Sequence, residues 1–158
     1  MTLPASTQAR LRFLIRVVTK EARSLETTNK RLFTEPSTTE RAASLDADPE
    51  LAERVDAFVA RFGRLQDTLG DKLLPALLAA LGERAMPVID RLDRAERLGL
   101  IPSSAQWMEI RQLRNQMIHE YVEDPKVLAD ALETARSSVA ILVAAGDAMV
   151  ADIERRGW

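Results

Sequence analysis

The chain has 158 residues, 46% of them hydrophobic and 29% charged, with a net charge of −2 and no cysteine. That balance excludes a disordered chain, and no run of eighteen uninterrupted apolar residues offers a membrane span. Without cysteine there is no disulfide, thiolate metal site or cysteine nucleophile, and the single histidine limits imidazole chemistry to one position per subunit. The length suits one domain over residues 1–158. No basic-then-apolar leader opens it, so a cytoplasmic location is expected.

Ala, Leu and Arg dominate and aromatics are scarce, which favours helices over sheets. The first helix is expected from about residue 5 to 33, where Leu11, Leu14, Ile15, Val18, Ala22, Leu25 and Leu32 form one apolar stripe. Glu35, Pro36 and the Ser/Thr cluster at 37–39 break it. Asp48-Pro49-Glu50 starts the second helix, with Asp as cap and Pro in the first turn. Phe58, Phe62, Leu65 and Leu69 carry that helix inward. Gly70-Asp71 is expected to restart the chain, with a short third helix over 73–81.

Pro87 opens the fourth helix, and Gly99 followed by Pro102 closes it. Ser104 is the expected cap of a fifth helix running to about Val122. Asp124-Pro125 caps a sixth, which continues to about Arg156. No alternating β-branched run and no Asn-Gly turn occurs, so no strand is expected. The fold class is therefore all-α, an antiparallel bundle of five to six helices. The first and last helices would each be on the order of 43–48 Å long, more than the width of a compact domain of this size. Either they are interrupted or they extend into a second subunit, and a homodimer is the natural solution.

Charge is unevenly spread. Residues 1 to 33 hold Arg10, Arg12, Arg16, Lys20, Arg23, Lys30 and Arg31 against Glu21 and Glu26, a net of +5 that leaves −7 elsewhere. Such a helix can hold a polyanion or an acidic partner, or simply present a solvated face.

The only histidine and the only tyrosine fall in Arg111-Gln112-Leu113-Arg114-Asn115-Gln116-Met117-Ile118-His119-Glu120-Tyr121. Asn115 and His119, four apart, share a helix face, whereas Arg114 and His119 point about 140° apart on an ideal helix. Imidazole, with a reference pKa of about 6.5, exchanges protons near neutral pH. It can take one from a ribose 2′-hydroxyl or give one to a leaving 5′-oxygen. Guanidinium grips phosphate in two-pronged fashion and stabilises charge building in a transition state. These are the ingredients of metal-free RNA cleavage. The same residues also admit a structural reading, with Arg114 paired to a carboxylate, His119 on the surface and Tyr121 in the apolar stripe of Trp107, Ile110, Leu113 and Met117.

The order Arg114, four residues, His119, one residue, Tyr121 resembles the R-x-x-x-x-H-x-Y signature of HEPN-domain proteins. The particular likeness is to the HepT toxins encoded beside minimal nucleotidyltransferases. The segment Phe58…Phe62…Leu65-Gln66-Asp67 and the stretch Leu98-Gly99-Leu100-Ile101 precede the signature in the order that family shows. The resemblance implies a homodimeric, metal-independent endoribonuclease, the toxin of a type VII-like toxin–antitoxin pair, with no cofactor. Arg114 would hold the scissile phosphate, His119 would act as acid and base, and Asn115 would orient phosphate or His119. Arg111, Arg12 and Arg16 are further candidates for RNA contact. The partner nucleotidyltransferase would neutralise the toxin by transferring AMP to Tyr121, placing bulk and negative charge where RNA phosphate must sit. The alternative is a non-catalytic subunit that presents substrate to the nucleotidyltransferase.

Overall fold

The computed structural model describes residues 2–119 and 123–158. Among these every regular element is helical: α1 (Ala5–Leu32), α2 (Thr39–Ala43), α3 (Pro49–Thr68), α4 (Leu74–Ala80), α5 (Val88–Arg97), α6 (Ser104–His119) and α7 (Pro125–Arg155). A 3₁₀ turn (Leu45–Ala47) precedes α3, and a π-helical stretch (Leu69–Leu73) joins α3 to α4. None of the described helices is long and apolar enough to cross a membrane.

The terminal helices run unbroken for 28 and 31 residues, about 42 and 46 Å. Cross-helix contacts fix their directions. Gly146 lies against Val18 and Arg136 stacks over Phe33, so α7 descends as α1 ascends. On α1's other side, Phe33 packs edge-on against Phe58 and Glu21 bonds to Thr68, so α3 is also antiparallel to α1. Gly63 faces Arg114 and Gly70 faces Trp107, which sets α6 antiparallel to α3. Between these helices lies one core, built on Leu11, Leu14, Phe58, Phe62, Leu65, Trp107 and Leu142.

Several helix ends follow from local chemistry. Asp48 accepts the N–H of Leu51, and Asp124 accepts those of Lys126 and Val127, so both acids cap as expected. Gly99 (φ +74°) ends α5, with the Leu100 N–H donating back to the Ala95 carbonyl.

Other expectations need correction. The chain does not restart at Gly70-Asp71: one wider turn keeps the helix continuous, and Gly70 is buried because the Trp107 ring occupies the space a side chain would need. Ser104 does not cap α6. Its hydroxyl is committed to Asp93 of α5 at 2.6 Å, and Ser103 Oγ accepts the Gln106 N–H instead. The break after α1 holds a short helix that periodicity did not show. Thr38 caps α2, and the Arg41 guanidinium donates to the carbonyls of Leu32 and Glu35, folding the segment back onto the end of α1. The expected end of the fifth helix near Val122 lies outside the described residues.

Candidate functional site

Helices α3 and α6 diverge enough to leave an open groove of about 540 Å³. Its α3 wall repeats at helical spacing: Asp56, Val59, Ala60, Gly63, Arg64 and Asp67. Arg114, Met117 and Ile118 form the α6 wall. The floor is apolar, and Ile118 is 45% exposed at its edge. Two guanidinium groups face two carboxylates there, so the lining is electrically balanced.

Arg114 is the best-defined polar group in the groove. Its Nη2 donates to Asp67 Oδ2 at 3.0 Å, in an ion pair with both side chains partly open to solvent. Its Nε is buried and has no hydrogen-bond partner. The side chain passes directly over Gly63, where a Cβ would stand 3.0 Å from Nε. A guanidinium with one edge tied to a carboxylate and donors to spare suits the capture of an anion, provided the anion competes with Asp67.

The other expected site residues do not gather around Arg114 within one chain. Helix α6 stays regular through His119, so the imidazole leaves the helix about 140° from Arg114. His119 is exposed and stands outside the groove lining, although its neighbour Ile118 belongs to it. Asn115 is exposed on the face it shares with His119, and Arg111 is half-buried one turn before Arg114. Arg12 and Arg16 are exposed on α1, which contributes nothing to the lining of this groove. Tyr121, like Glu120 and Val122, lies outside the described residues. Among the described residues no group of three or more His, Asp or Glu side chains stands close enough to hold a metal ion.

Asp56, Ala60, Gly63 and Arg64 line the groove although the sequence did not single them out. A glycine in the middle of a strongly periodic helix was the available signal for Gly63, because such a glycine commonly marks a close approach. Asp67 was noticed only as part of a family-like segment, and nothing local marks it as Arg114's partner.

Comparison with protein-family models, curated proteins and solved structures returns no match for this chain. Fold and groove therefore define it as an all-α helical domain with an arginine-bearing groove between two antiparallel helices.

Proposed function

We propose that the protein is a HEPN-like, metal-independent endoribonuclease, the toxin of a toxin–antitoxin pair. Arg114 binds the scissile phosphate, and His119 serves as acid and base at a cleft between two copies of the chain. The observation that carries this reading is Arg114 itself. It lines an open groove with its side chain partly open to solvent, five residues ahead of the only histidine and seven ahead of the only tyrosine. The divergent directions of Arg114 and His119 give the homodimer its chemical purpose, because a second copy can supply the imidazole that one copy holds away from its own groove. The exposed, apolar edge at Ile118 supports association at the same place.

In this reading the cleavage balances simply. The ribose 2′-oxygen loses its proton to the neutral imidazole and bonds to phosphorus. The 5′-oxygen then leaves, taking a proton from an imidazolium, to give a 2′,3′-cyclic phosphate and a 5′-hydroxyl. A minimal nucleotidyltransferase silences the enzyme by transferring AMP from ATP to the Tyr121 phenol, whose oxygen loses its proton and bonds to the α-phosphorus as pyrophosphate leaves.

The test is cleavage of RNA by purified protein in a chelator. Both Arg114→Ala and His119→Ala are expected to abolish it, and cleavage at parental rates by either variant refutes its assigned role. Intact mass after incubation with a minimal nucleotidyltransferase and ATP is expected to show an AMP-sized addition that Tyr121→Phe prevents.

A second reading, a non-catalytic subunit presenting substrate to a nucleotidyltransferase, is favoured by the two carboxylates that balance the groove's arginines. It requires complex formation with that partner and no RNA cleavage.

A further inference from the structure

Helix α1 turns its apolar side inward and leaves its outer side to cations. Leu11, Leu14, Val18 and Leu25 are buried in the core. Directly opposite, at steps of four, four and three residues, stand Arg12, Arg16, Lys20 and Arg23, all exposed. The first three follow one another about every 6 Å along the axis. No acidic residue occurs in the first twenty positions. Glu21 is turned towards α3, where it accepts a hydrogen bond from Thr68, and Glu26 shares a groove between α1 and α7 with Arg23 and Asp147.

Among the described residues, Arg12, Arg16 and Lys20 form no ion pair, whereas Arg91, Arg94, Arg155 and Arg156 are each matched to a carboxylate. Three cations without an ion pair thus follow one another along one exposed face of α1, in a protein with a net charge of −2. Phe13 stands beside this row, 46% exposed, with the Arg10 guanidinium 5.5 Å from its ring centroid.

We propose that this face of α1 binds single-stranded RNA, with Arg12, Arg16 and Lys20 following the phosphates and Phe13 offering its ring for a base to stack on. A row of cations beside an exposed aromatic ring is the combination that holds single strands without reading their sequence. An anionic membrane is a poorer fit. An interfacial helix inserts its apolar face, and α1 has used that face in the core, leaving only Phe13 to enter lipid. An acidic protein surface would match the charges but leave the ring without a role. The surface is distinct from the α3/α6 groove, so it captures RNA and does not cut it. The choice of RNA rests on the reading proposed above, yet binding and cleavage are measured separately.

The experiment is fluorescence anisotropy of a labelled twenty-nucleotide single-stranded RNA against the whole protein over a series of salt concentrations. The double variant Arg16→Glu/Lys20→Glu, at exposed positions, is expected to bind about tenfold or more weakly. Its plot of log affinity against log salt should be shallower by at least about 1.4, at about 0.7 per lost cation. Phe13→Ala is expected to weaken binding several-fold while keeping the slope. Circular dichroism verifies that each variant is folded.

Parental affinity and slope in the folded double variant overturn the proposal, as does a parent that binds anionic phospholipid vesicles and not RNA. Failure of the ribonuclease reading looks different: RNA is bound through α1 but never cut.

Discussion

Gly63 and Arg114 lie so close that a methyl group on the glycine would meet Nε at 3.0 Å and Cγ at 3.3 Å. The guanidinium crosses from α6 to Asp67 on α3 over the one position in that helix turn that lacks a side chain. Glycine inside a helix costs about 1 kcal/mol relative to alanine. The groove therefore holds a residue that is unfavourable for the helix and makes room for the arginine.

Gly63→Ala separates these two effects. The gain in helix propensity of about 1 kcal/mol offsets the contact with Arg114, so the denaturant midpoint is expected to stay near the parent's. The guanidinium must move, and under the proposed mechanism RNA cleavage is expected to fall at least about tenfold, the loss that about 1.4 kcal/mol of misplaced phosphate binding produces. Unchanged cleavage in a folded Gly63→Ala protein shows that Arg114 does not need this space.

At Gly70 the same substitution acts on stability. A Cβ there stands 3.3 Å from Nε1 of Trp107, which is 2% exposed and held on all sides. Crowding a packed core costs about 1–3 kcal/mol, against a helix gain of about 1. A net loss of roughly 1 kcal/mol is expected in urea unfolding, with a change in the near-ultraviolet dichroism of Trp107.

Burial raises the pKa of Glu21 above its usual 4.5, and the Thr68 hydroxyl and the nearby Arg64 and Lys72 charges only partly offset it. The folded protein therefore holds this proton to a higher pH than the unfolded chain does. Stability from Glu21 is present at low pH and is lost as pH rises through the raised value. Glu21→Gln keeps an acceptor for Thr68 and removes the charge. Its stability relative to the parent is expected to increase as pH rises from 4 towards neutrality. A difference that is flat with pH contradicts the assignment.

Ile118 tests the proposed assembly. Placing Glu at this exposed apolar edge puts a charge at the centre of the proposed contact. Sedimentation is expected to show a dimer for the parent and a monomer for Ile118→Glu, with helical dichroism retained. A monomeric parent at the concentrations that cleave RNA removes the shared cleft.

Much of the architecture was legible because its causes are local. Asp48 and Asp124 cap, Pro49 and Pro125 start, and Gly99 stops helices through contacts within a few residues, so their signals survive in the linear order. The Gly70 misreading has an equally specific cause. Glycine followed by aspartate resembles a break, and only the Trp107 ring, from a helix more than thirty residues later, explains a glycine inside a continuous helix. Ser104 fails as the cap for a similar reason, since Asp93 on another helix claims its hydroxyl and Ser103 caps instead.

The sequence by itself determined that the chain is helical, where most helices begin and end, which faces are apolar, and that arginine, histidine and tyrosine follow one another at a distinctive spacing. Tertiary structure alone decided that Arg114 meets Asp67 across 47 positions of chain, that Gly63 makes room for it, and which residues line their groove. Periodicity assigns each residue to a face of its own helix. Which face of another helix it meets is set by how the helices pack around a shared core, and that packing depends on the whole chain at once.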